Sequence, residues 1–178
     1  MSTEHLQYPI GQFSMPESIT KEIVSHWIDE IASFPERLRI AVSELSDEQL
    51  EHTYRPGGWT IRQVIHHCAD SHMNSFIRFK LALTEDQPTI KPYYEDRWAE
   101  LQDTKNMTVE SSLKILEGLH PRWTVLLSAL TERDYARTFY HPETKKTIRL
   151  DENIGIYAWH SNHHLAHIYQ AIKMGGSF

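Results

Sequence analysis

Apolar residues recurring every three or four positions over long stretches commit this chain to amphipathic helices. Ile19, Ile23, Trp27, Ile31, Phe34, Leu38, Val42 and Leu45 form one such stripe, which predicts a helix over about residues 16–45 that Pro35 should kink or break. After the turn-rich Tyr54-Arg55-Pro56-Gly57-Gly58, a second helix opens with Thr60 as N-cap and Gln63 three residues on, a capping box. Its apolar arc is Ile61, Val64, Ile65, Cys68, Phe76 and Leu83. A connection bearing proline and tyrosine covers about residues 85–103. A third helix over about 108–130 then carries Leu113, Leu116, Leu119, Trp123, Leu126, Leu127 and Leu130, bent at Pro121.

Two β-forming runs, Thr138-Phe139-Tyr140 and Thr147-Ile148-Arg149-Leu150, flank a polar turn and predict a hairpin. The last helix is expected to start with Asp151 as N-cap and to end at Gly175-Gly176. Four helices with one long connection and a small β-hairpin before the last helix predict an all-α four-helix bundle with a crossover. In such a bundle, metal sites are built by side chains on facing helices. With 178 residues, 40% of them hydrophobic, the chain can bury one core without disulfides, so a single domain over 1–178 is expected.

The one cysteine, Cys68, excludes an internal disulfide and fits a reducing compartment, and with no Cys-x-x-Cys pair any metal must be held by imidazole and carboxylate. A net charge of -6 argues against a nucleic-acid partner, which needs clustered lysine and arginine. The first residues show no basic stretch followed by an apolar run, and no segment approaches eighteen continuous apolar residues. The expectation is a cytoplasmic protein with no membrane partner.

Chemistry concentrates in Trp159-His160-Ser161-Asn162-His163-His164-Leu165-Ala166-His167, which holds four of the twelve histidines within eight residues. At about 100° per residue, His160, His164 and His167 project from nearly one line of the helix, and two imidazoles one turn apart can share an ion. His163 and His167 form a second such pair in a direction about 60° or less away, so the spacing leaves both open as ligands. On the second helix, His67 lies at the edge of the apolar arc while His66 is rotated about 100° away, which makes His67 the better inward ligand. His67, His160 and His164 together give three imidazoles and an open position, the arrangement of a catalytic rather than a structural zinc. Neutral imidazole also suits nickel, iron or copper.

The chain resembles the DinB/YfiT family of metalloenzymes, and within it the YfiT branch. The residues that carry the resemblance are Tyr8-Pro9-Ile10-Gly11, Gly58-Trp59-Thr60 with His67 eight residues after the tryptophan, and Asp70-Ser71-His72-Met73-Asn74. Pro88 through Pro92-Tyr93, Tyr140-His141-Pro142-Glu143 and Tyr157-Ala158-Trp159-His160 with His163-His164 and Ala166-His167-Ile168 complete it. The resemblance implies an up-down-down-up four-helix bundle, a zinc or similar divalent ion on His67, His160 and His164, and a homodimer. The branch carries the label of metal-dependent hydrolases and includes a bacillithiol S-transferase, so two activities are implied for one site.

An open three-histidine zinc lowers the pKa of bound water from about 15.7 toward about 7, and would deprotonate a bound thiol. Hydrolysis and thiol transfer to a small electrophile are both feasible on these ligands. The residue after His160 is Ser161 rather than the glutamate of a His-Glu-x-x-His peptidase helix, which weakens peptidase-type hydrolysis more than thiol transfer. Asp70, one turn after His67, is a candidate to orient that imidazole or shuttle protons, and equally reads as a solvated carboxylate. Asn74 and Arg78 share the direction of His67, and Tyr157, about one turn before His160, is placed to line a pocket. His72 reads as a satisfied core histidine, Cys68 as packing, and His26, His52, His120 and His141 as surface or cap residues. The alternative of another class is a bundle that stores or senses metal without turnover.

Overall fold

The structure, a computed structural model, describes residues 4–177. A short helix α1 (Glu4–Gln7) leads to Thr20, whose hydroxyl accepts the Ile23 amide at 3.4 Å and caps α2 (Lys21–Val42). The helix therefore begins five residues after the expected start at about residue 16. It runs through Pro35 without the break that was one of the two outcomes expected there. Proline removes one helical donor, and the carbonyl it leaves without that donor, on Ile31, accepts instead from the ring of His120 at 2.6 Å. The missing bond is thus replaced from the neighbouring helix.

After α3 (Asp47–Leu50), the Thr60 capping box opens α4 (Ile61–Thr84) as expected, with Thr60 Oγ1 accepting the Gln63 amide at 3.2 Å and Gln63 Oε1 accepting the Thr60 amide at 3.0 Å. The long connection is partly ordered into α5 (Glu95–Trp98) and α6 (Gln102–Asn106). It is also tied to the hairpin where Ile90 donates to the Tyr140 carbonyl at 3.0 Å. Next come α7 (Glu110–Ser128), which also passes through its proline, Pro121, uninterrupted, and α8 (Glu132–Tyr135).

The hairpin pairs β1 (Thr138–His141) with β2 (Lys146–Arg149) antiparallel, Phe139 opposite Ile148. The last helix, α9 (Leu150–Met174), starts with Arg149 rather than Asp151 at the cap. Asp151 lies inside the first turn, where it accepts from Arg149 at 2.6 Å, while Glu152 accepts the Arg149 amide at 3.0 Å. Gly175 closes the helix with φ 58°, the left-handed conformation that glycine adopts at no steric cost.

The four long helices form a four-helix bundle. Both α2 and α4 pack mainly against α7 and α9, so α2 lies diagonally across the bundle from α4, and α7 from α9. Consecutive helices joined by short loops would sit side by side. Phe34, Leu38, Ile65, Phe79, Leu116 and Trp123 are fully buried between the corners. On α9, Ile154, Ala158 and Ile168 are buried with them, and α9 packs beside α4 with the histidines of the two helices facing each other. Among the described residues, no helix is long and apolar enough to cross a membrane.

Candidate metal centre

His67 on α4 and His160 and His164 on α9 meet across this interface. Their donor atoms lie within 4.8 Å of one another, and the Nε2 atoms of His67 and His160 are 3.2 Å apart. Two imidazole nitrogens bound to one tetrahedral ion at 2.0–2.1 Å each would be separated by about 3.3 Å. The His67–His164 and His160–His164 ring centroids are 4.8 and 4.4 Å apart, with His164 edge to face against both, and the His67 and His160 rings, tilted to each other, complete the triangle at 5.3 Å. Burial holds the His67 pKa down at about 4 and those of His160 and His164 well below the ordinary value. The three rings are therefore neutral at pH 7, the protonation state in which imidazole ligates metal.

The set is walled on one side and open on the other. Trp59 packs on His67 at 4.8 Å and Tyr157 on His160 at 5.3 Å, while the Tyr157 hydroxyl sits 3.2 Å from Ser71 Oγ, itself 3.4 Å from His160 Nε2. A cavity of about 460 Å³ adjoins all three rings and is bounded also by Arg78, Tyr93 and His141. Its volume suits a small molecule.

A second set, His163, His164 and His167, also has its donor atoms within 4.8 Å of one another and shares His164, so both pairs stay open as ligands. His163 stacks on Trp159 at 4.3 Å, and burial lowers its pKa to about 4. His167 stacks on Tyr54 at 3.8 Å, meets the Gln7 carbonyl through Nε2 at 3.0 Å, and faces His164 Nδ1 through its own Nδ1 at 3.4 Å.

Of the other candidates, Tyr157 and Arg78 line the cavity, and the buried Nε of Arg78 has no hydrogen-bond partner. The side chain of Asn74 turns back to its own helix, donating to the Asp70 carbonyl at 2.9 Å. The Asp70 carboxylate makes no hydrogen bond to the rings. Desolvation and nearby Asp103 raise its pKa to about 6. Cys68 is fully buried, its thiol pushed up by burial, as expected of a packing residue.

His72 is the satisfied core histidine expected, with ring nitrogens 2.8 Å from His120 Nε2 and 3.1 Å from His160 Nδ1. His120 overturns its surface assignment, because it is fully buried. The signal was present in the sequence: His120 follows Leu113 and Leu116 and precedes Trp123 and Leu127 at the spacing of core positions. His141 likewise faces the cavity rather than solvent alone.

Residues 30–168 match the family profile described as the DinB superfamily. The chain is 50% identical over 176 residues, 99% of each chain, to the protein of Bacillus subtilis (strain 168) named "Putative metal-dependent hydrolase YfiT". It is 56% identical over 163 residues, 92% of this chain and 93% of the other, to a Bacillus cereus (strain 03BB102) protein named "Putative metal-dependent hydrolase". The solved structure of YfiT from Bacillus subtilis, described as a probable metal-dependent hydrolase with an unusual four-helix bundle topology, superposes with TM-score 0.92 at 51% identity, covering 96% of this chain and 98% of that one. With its histidines gathered between facing helices and these relatives matched along nearly its whole length, the chain belongs to the DinB superfamily.

Proposed function

We propose that the protein is a metal-dependent enzyme of the hydrolase type, holding one divalent ion per chain on His67, His160 and His164 and acting on a small molecule in the adjoining cavity. Zinc is the first choice of ion, and neutral imidazoles also suit nickel. The observation that carries this reading is the 3.2 Å approach of two Nε2 atoms from different helices, the spacing of nitrogens that share one ion. The names of the relatives support the same class. A bound divalent ion there supplies the charge that acidifies a water or thiol at neutral pH.

The chain's own residues do the rest. Neutral rings keep the site free of competing protons. Trp59 and Tyr93 wall the cavity, Ser71 and Tyr157 offer hydroxyl hydrogen bonds beside His160, and Arg78 offers a positive charge to an anionic group of the substrate. The homodimer that the family resemblance implies belongs to the same proposal, as does a cytoplasmic setting.

One observation favours a second reading, S-transfer from a low-molecular-weight thiol such as bacillithiol. Among the described residues neither histidine set includes a carboxylate, Asp70 makes no hydrogen bond to the rings, and the carboxylates at the cavity, Glu95 and Glu143, belong to its wall and not to either set. A thiol acidified at the site needs no adjacent base, whereas water attack gains from one. Zinc-loaded protein incubated with a panel of esters and amides, and separately with monochlorobimane and a panel of thiols, tests both readings. Ester or amide cleavage lost in His164→Ala sustains hydrolysis, and thiol conjugation alone sustains transfer. Metal binding with neither reaction points to storage or sensing and overturns both.

A further inference from the structure

A neutral imidazole has one N–H and one lone pair, so a chain of such rings has a direction, and that direction is set wherever the chain ends on a group that can only accept. The carbonyl of Ile31 is such a group. His120 Nδ1 lies 2.6 Å from it and must donate, which leaves His120 Nε2 as an acceptor. His72 Nδ1, 2.8 Å away, then donates to His120, and His72 Nε2 accepts from His160 Nδ1 at 3.1 Å. His160 is left with its Nε2 lone pair directed at His67 Nε2. Reversing the order would set a lone pair of His120 against the Ile31 oxygen and leave a buried bond unmade.

We propose that this relay is a positioning device: His120 and His72, anchored on the Ile31 carbonyl, hold His160 in the one tautomer whose Nε2 can ligate the ion. The anchor exists because Pro35 has no N–H to offer that carbonyl. A second, shorter relay acts on the other α9 ligand in the same sense. His167 donates from Nε2 to the Gln7 carbonyl, its Nδ1 accepts from His164 Nδ1, and His164 Nε2 is left free. The inference deepens the three-histidine reading and rests on it for its purpose, though the direction of the relay follows from hydrogen bonds alone. Neither His72 nor His120 lines the cavity, so neither is placed to touch substrate.

Long-range proton–nitrogen NMR of the imidazoles in metal-free, ¹⁵N-histidine-labelled protein reads the tautomers directly. The expected result is Nδ1–H at His120, His72 and His160, with Nε2–H at His167. Nε2–H as the main form of His160 would overturn the proposal. His120→Phe removes the acceptor and should move His160 toward Nε2–H while weakening zinc binding about 10–100-fold, as loss of a ligand's orienting partner does. His120→Gln, whose amide oxygen can take the His72 proton, should restore most of the loss. Equal damage in both variants, or an unaltered His160 tautomer in folded His120→Phe, would also overturn it. If neither variant folds, the wild-type spectrum decides. Wild-type zinc titration is read separately: His160 with Nδ1–H in a protein that takes up no zinc would uphold the relay and remove the ligand reading.

Discussion

His67 Nε2 and His160 Nε2 lie 3.2 Å apart, although 93 residues separate them in the chain. Nothing local brings them together. The approach is made by α4 packing on α9, so the site is as stable as that interface. Metal affinity should follow core integrity as well as ligand identity.

Phe34 tests this dependence. It is fully buried on α2 and packs against the rings of His72 and His120 at 5.2 and 5.7 Å. Phe34→Ala should cost about 3–5 kcal/mol in chemical denaturation. Zinc affinity should fall with it, because the cavity left behind lies against the rings that orient His160. An undiminished denaturation midpoint would show that the ring packing adds nothing to stability.

The N-terminus of α4 makes the opposite case. Thr60→Ala removes a capping bond two turns before His67 on α4, without removing any contact to the rings, and should cost about 1 kcal/mol. Zinc stoichiometry should stay unchanged, as read by metal analysis of the folded variant.

Stability of the metal-free protein should fall as the pH drops from about 6.5 toward 4. Burial lowers the folded-state pKa of His67, His120 and His163 to about 4 and that of His167 to about 3, whereas an unfolded histidine titrates near 6.5. In that window the unfolded chain takes up protons that the folded chain does not. Each ring can then cost up to about 1.4 kcal/mol per pH unit. Asp70, shifted the other way to about 6, gains its proton in the folded state and offsets part of one ring. Urea midpoints measured with a chelator at pH 7.5 and 5.0 check the slope, and equal midpoints would contradict it.

Asp70→Asn should leave zinc binding and turnover intact, because the carboxylate makes no hydrogen bond to the rings of His67, His160 or His164. It should raise stability at pH 7, where the native chain otherwise carries a desolvated charge near Asp103. A large loss of turnover without loss of metal would restore Asp70 as a proton carrier.

The bundle was legible from the stripes on α2, α4 and α7, and the capping box at Thr60 placed the start of α4. Helical spacing also placed His160 and His164 on one side of α9. What periodicity missed has physical causes. Pro35 was expected to kink or break α2 and does not break it, because a donor from α7 satisfies the carbonyl that proline leaves unpaired, and no reading of one helix contains its neighbour. His120 looked like a stray polar residue until its core spacing met a polar partner on either side. Asp151 has the chemistry of an N-cap, yet the short hairpin hands over to α9 one residue earlier and Glu152 takes the capping bond. Direction on a wheel likewise could not tell that the side chain of Asn74 would fold back on its own helix.

If α4 and α9 share one ion, metal stoichiometry across single alanine variants reads that sharing out directly. Purified protein reconstituted with zinc and desalted should retain about one equivalent per chain, as a single open site implies. Folded His67→Ala, His160→Ala and His164→Ala should each lose it, while His163→Ala should keep it. Retention in His67→Ala with loss in His163→Ala would put the ion on the other histidine set and contradict the account.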